Sequence, residues 1–157
     1  MKMSPITKCA FIILGLVIGS LGLKEVVGGL SASSWPSTQG EILSSDIKYY
    51  SNSKGHTYGA SVTYSYTVDK RFYRSNQISF GSYSGSYSHA QEVLNRYPKG
   101  ALVPVFYDKS SPDNAVLEKG VGFGAYIALY GGIIFCLAPW GLSYFWKRFE
   151  QNPSLPL

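Results

Sequence analysis

At 157 residues, with a net charge of +5 and two cysteines, the chain has room for one domain besides its hydrophobic segments. From Ser31 to Gly120, nine Lys/Arg against seven Asp/Glu leave +2; Lys2, Lys8, Lys24, Lys147 and Arg148 against Glu25 and Glu150 supply the other +3. The basic balance therefore reads as a membrane-topology signal rather than a nucleic-acid footprint, and two cysteines exclude a disulfide scaffold.

The N-terminal tip, residues 1–8, carries Lys2 and Lys8. An apolar segment follows over 9–30, the first expected transmembrane helix. Its uncharged core, Cys9 to Leu23, rises only about 22 Å, so the span reaches Leu30 by taking in Lys24 and Glu25. Lys24 is expected to snorkel to the outer interface beside Glu25. Cleavage as a signal peptide at Leu30-Ser31-Ala32 is the alternative. The second apolar segment, Val121 to Trp146, is free of charge and exceeds the roughly 20 residues a crossing helix needs. A tail over 147–157 begins with Lys147-Arg148. Basic residues at both outer ends favour two cytoplasmic termini, with residues 31–120 outside an inner (plasma) membrane. Cys9 and Cys136 would then differ in depth by about 15 Å, too far for a disulfide.

Small residues mark one face of each span. Gly15 and Gly19 are four apart, as are Gly120, Gly124, Ala128, Gly132 and Cys136. Such faces let backbones approach closely, either between the two segments or toward another subunit. Pro139 is expected to kink the second span. Trp140, Tyr144, Phe145 and Trp146 read as an aromatic belt.

Residues 31–120 read as an α+β unit: an antiparallel, β-rich barrel- or sandwich-like domain with one short helix. Trp35-Pro36 opens it, and Glu41–Tyr50 is the first expected strand. Tyr58–Val68 alternates strictly, with Tyr58, Ala60, Val62, Tyr64, Tyr66 and Val68 on one face. Tyr64 and Tyr66 are expected in the core with their hydroxyls at its margin. Asp69-Lys70 is a tight turn into Arg71–Phe80. The tandem Gly-Ser-Tyr-Ser of residues 81–88 is a loop, and Ser88 with Gln91 forms a capping box for a helix to about Arg96. Ala101–Tyr107 is a strand in which Pro104 demands an edge or a bulge. Asp108–Asn114 is a turn, and Ala115–Leu117 a last strand.

These motifs resemble a bacterial membrane-protein family, that of domain of unknown function 3592. The resemblance rests on Trp35-Pro36-x-x-x-Gly40-x-Ile42, Val62-x-Tyr64-x-Tyr66-x-Val68, Ile78-x-Phe80-Gly81 and Tyr97-Pro98-x-Gly100-x-x-Val103-x-Val105-x-Tyr107-Asp108. Lys109 departs from the proline that usually follows that aspartate. The resemblance implies the same two-helix, β-rich outline and supplies no activity.

No catalytic, cofactor-binding or metal-ligating set emerges. His56 and His89 lack Cys, His or Asp neighbours at metal-ligand spacing and read as solvated. No nucleophile elbow supports a serine triad, and Glu41 with Asp46, or Asp108 with Asp113, read as exposed acids. Ten of the 13 tyrosines fall between Ser31 and Gly120. Lys48-Tyr49-Tyr50 and Arg71-Phe72-Tyr73-Arg74 interleave bases with aromatics. The surface-contact candidates are Tyr49, Tyr50, Arg71, Tyr73, Arg74, Tyr83 and Tyr87. The expectation is a non-enzymatic accessory or assembly protein that needs no cofactor, binds no nucleic acid and docks a membrane or envelope protein. A binding module for envelope glycan or lipid, and a protective immunity-type protein, are the alternatives.

Overall fold

The computed structural model describes residues 4–52, 55–81 and 84–151. Helix α1 spans Pro5–Ala32. The Ser4 hydroxyl accepts from the Thr7 N–H at 3.2 Å and Pro5 takes the first helical position, where its missing N–H costs nothing. The N–H groups of Ser33, Ser34 and Trp35 bond back to the carbonyls of Leu30, Ser31 and Ala32, and Pro36 ends the run. The last helix, α3, spans Phe123–Gln151 and stays helical through Pro139. Both helices are long and apolar enough to cross a membrane.

The chain divides into two compact units: residues to Lys24 with those from Ala125 on, and Glu25–Gly124. In the first, α1 and α3 pack antiparallel through small residues. A β-carbon on Gly132 would lie 2.5 Å from the Gly19 α-carbon, and one on Gly15 would lie 2.6 Å from the Cys136 sulfur. Gly22 meets the backbone of Leu129 and Ala128 just as closely. Phe11 stacks on Phe135, with centroids 5.9 Å apart. Cys9 and Cys136 are both free thiols.

The second unit is built on β1 (Ser37–Asn52), β2 (Gly55–Val68), β3 (Arg71–Ser75), β4 (Ser84–Gly85), β5 (Leu102–Tyr107) and β6 (Ala115–Val116), with α2 (Tyr87–Arg96) between β4 and β5. The strands form one antiparallel sheet in the order β3-β2-β1-β5-β6, with β4 added to the far end of β2. The alternation of β2 places Val62 and Tyr64 fully inside and Tyr66 and Val68 nearly so, while Tyr58 and Ala60 are half-buried and Ser65, on the other face, is buried as well. Ile42, Val93, Val105 and Leu117 complete that core. A smaller cluster joins Ala32, Phe80 and Val116 beneath Trp35 and Phe106.

A bulge re-phases β1. Ile42 pairs with Tyr64, but Ser44 pairs with Thr63, so one extra residue enters at Leu43. Before the bulge even-numbered residues of β1 share the β2 core face; after it Ser45, Ile47 and Tyr49 do.

The sheet is open rather than a closed barrel or a two-layer sandwich. Its ends approach without pairing as strands: the Ile78 carbonyl accepts from the N–H groups of Leu117 and Glu118 at 2.9 and 2.8 Å. That detour is why β3 ends at Ser75 and does not run on to Phe80. Phe80 instead forms an isolated parallel bridge with Val121. Pro104 lies where β5 has β1 on one side only, since β6 pairs with Phe106 and Tyr107 alone. The helix N-cap is Ser86, whose hydroxyl accepts from His89 N–H at 3.3 Å, and not Ser88. The tandem repeat offers a serine at either place, and the hydroxyl of Ser88, in the first turn, shares a hydrogen bond with that of Ser86 at 2.9 Å.

Candidate partner-binding surface

The β1–β2 ribbon extends past the ends of β5 and β3 and carries aromatic side chains on the core-face parity. Register sets Tyr49 directly opposite Tyr58. Their rings lie 5.5 Å apart, and Tyr87, at the start of α2, meets Tyr58 edge-on at 5.3 Å. His56 stacks on Tyr49 at 5.3 Å, and the Tyr49 hydroxyl and His56 Nδ1 share a hydrogen bond of 2.5 Å. Tyr49 and Tyr87 are each 54% exposed, while Tyr58 is half-buried beneath them. His56 is exposed, as a solvated side chain would be, and is also tied into this cluster.

The remaining candidates lie elsewhere. Tyr50 follows Tyr49 by one residue, so strand alternation turns it to the opposite face. Tyr73 stacks on Tyr66 at 5.7 Å, and Arg71 and Arg74 pair with Val68 and Ser65 at the other end of β2. Eight residues separate Tyr58 from Tyr66, about 27 Å of strand. The bases and aromatics that sequence grouped together therefore split into two surfaces. Tyr83 lies outside the described residues. Sequence reasoning missed Tyr58 and His56 as surface members. The cross-strand register that unites them with Tyr49 becomes visible only once the hairpin is closed between Asn52 and Gly55.

The helix-packing candidates also resolve into places. Gly15, Gly19 and Gly132 lie at the α1–α3 crossing, and Ala128 lies beside Gly22, a residue the four-residue spacing did not include. Gly124 falls in the other unit.

The acids near turns hold structure. Asp108 accepts from the N–H and hydroxyl of Ser110 at 2.9 and 2.6 Å. These bonds keep its carboxyl below the usual carboxylate range. Lys109 sits inside this turn, between the two bonded residues. Glu118 accepts from Arg96 at 2.6 Å and from the Tyr97 hydroxyl at 2.8 Å, joining the end of α2 to the segment between β6 and α3. Among the described residues no three His, Cys, Asp or Glu side chains are grouped to hold a metal ion.

Fold and surface together define a class: a small antiparallel sheet with one covering helix, carried between two long apolar helices. The chain belongs to the DUF3592 family; the family model, described as a domain of unknown function, matches residues 38–122. The match runs from the second residue of β1 to the residue before α3. No curated protein and no solved structure matches the chain.

Proposed function

We propose that the protein is a non-enzymatic membrane accessory or assembly protein. Helices α1 and α3 anchor it, with both termini cytoplasmic, and the sheet domain is presented outside to a membrane or envelope protein. The basic residues outside both spans support the orientation. The exposed apolar side chains of α1 and α3, among them Leu16, Leu21, Ile134 and Leu137, support a hydrocarbon surrounding.

The observation that carries the partner-docking role is the Tyr49–Tyr58–Tyr87 cluster. Tyrosine is enriched at interface centres because it brings large area at small entropy cost and keeps one polar edge. Here three such rings are held by a strand pair and a capped helix, so little ordering remains to be done on binding.

Native mass spectrometry of the full-length protein, gently extracted from its own membranes, tests this. A stoichiometric second protein, lost when Tyr49→Ala and Tyr87→Ala are combined, is expected. A chain that runs without any other protein, in wild type and variant alike, contradicts it. The second reading is a glycan-binding module. It draws on the same cluster, whose aromatic faces and phenol hydroxyls would suit a saccharide; a retained glycan mass would favour it.

A further inference from the structure

The long strand β1 is covered on its outer side for only part of its length. β5 pairs with Ser37–Glu41, and the Ile42 backbone is taken by Ala101 and Gly100 at 3.0 and 2.8 Å. From Ser44 to Asn52, among the described residues, β1 has β2 on one side and no backbone partner on the other. That is an open edge about 30 Å long. Proteins seldom leave such an edge without a partner or a guard.

Register decides which backbone groups face outward. Asn52 and Gly55 flank a two-residue connection, so they exchange both ladder bonds. Alternation then turns the N–H and C=O of Asn52, Tyr50, Lys48 and Asp46 toward β2. Those of Ser51, Tyr49, Ile47 and Ser45 face the open side.

We propose that a second copy of this chain covers the edge, the two β1 strands pairing antiparallel about a two-fold axis through Ile47. That register faces Ile47 with its own copy as a hydrogen-bonded pair. It sets Ser45 opposite Tyr49 of the second copy, also hydrogen-bonded. Between them, at the closer non-hydrogen-bonded positions, Asp46 faces Lys48 and Lys48 faces Asp46. Both residues are exposed, and among the described residues neither forms an ion pair within its own chain. The symmetric pairing satisfies both at once, and an isologous interface needs such self-complementarity. The result is one continuous sheet across two subunits.

The test uses the full-length chain in mild detergent, with mass measured by light scattering. Wild type is expected as a dimer. Asp46→Lys or Lys48→Asp places like charges opposite one another twice and should weaken dimerisation about tenfold. The double reversal Asp46→Lys/Lys48→Asp should restore it, which also shows that the single variants fold. In a Cys9→Ser/Cys136→Ala background, Ile47→Cys should oxidise to a covalent dimer, because α-carbons of such a pair sit about 5.5 Å apart. Ser45→Cys should not, its two copies being displaced by four residues, about 13 Å. A wild-type monomer, single reversals without effect, or a different protein bound along β1 would each overturn the proposal.

Discussion

Glu25, seven residues from the end of α1, accepts a hydrogen bond from the backbone N–H of Gly81 at 2.9 Å. The last two turns of α1 are thereby part of the sheet domain. Gly28 lies against the Phe80 ring, Gly29 against Gly120 and Val121, and Ala32 is fully buried. Glu25, which sequence reasoning set beside Lys24 at the outer end of the first span, also serves as a structural acceptor.

Glu25→Ala should leave the Gly81 N–H without its acceptor and cost about 1–3 kcal/mol, whereas Glu25→Gln, which keeps a carbonyl oxygen, should cost less. Denaturant unfolding of the full-length chain measures the difference. The same packing argues that α1 is kept: removal after Ala32 would strip Glu25, Gly28, Gly29 and Ala32 from the domain. The mass of the membrane-extracted protein should therefore include residues before Ser33.

A buried tyrosine pair makes the fold sensitive to alkali. The Tyr64 hydroxyl lies 2.8 Å from the carbonyls of both Gln77 and Ala115, which share its one proton, and that of Tyr66 donates to the Pro112 carbonyl at 2.6 Å. Burial, reinforced by Asp113 and Tyr73, pushes the Tyr66 phenol from 10.0 up to about 12, and burial raises Tyr64 as well. A folded value above the unfolded one means this stabilisation is intact below pH 10.0 and fades as pH rises toward about 12. Denaturation midpoints should fall across that window, and less steeply in Tyr66→Phe. At neutral pH that variant should lose about 1 kcal/mol.

The β2–β3 turn holds a removable strain. Asp69 and Lys70 both have positive φ, 49° and 65°, without a glycine. Each non-glycine residue held there costs about 1 kcal/mol, so Lys70→Gly should raise stability by up to that amount. A higher melting temperature of the full-length chain checks it.

The helix seam should fail in a position-specific way. Gly132→Leu would drive a side chain into the Gly19 backbone, while Gly131 has open space around it. Cys136, whose thiol donates to the Ile12 carbonyl at 3.7 Å, reports the seam. A membrane-permeant maleimide should label it much faster in Gly132→Leu than in wild type or Gly131→Leu.

Much of this architecture is legible in sequence where one periodicity dominates. Tyr58–Val68 alternates without a break because one face is core, and Asp69-Lys70 marks its end. The two apolar helices are equally plain. What sequence hides is whatever depends on a distant partner. The bulge at Leu43 breaks no local rule, yet it decides that Tyr49, and not Tyr50, joins Tyr58. That Glu25 accepts from Gly81 depends on residues 56 positions apart. Ser86 and Ser88 are interchangeable as caps until the start of α2 is fixed by Tyr87 packing on Tyr58.

The proposed topology has two helices holding the sheet domain outside a membrane, and impermeant thiol labelling of intact cells tests it most directly. In a Cys9→Ser/Cys136→Ala background, Tyr49→Cys should react from outside, while Lys8→Cys should react only after the membrane is opened. Both variants should stay with the membrane through an alkaline carbonate wash. A Tyr49→Cys that is shielded in intact cells, or a protein that washes free, would contradict the proposed topology.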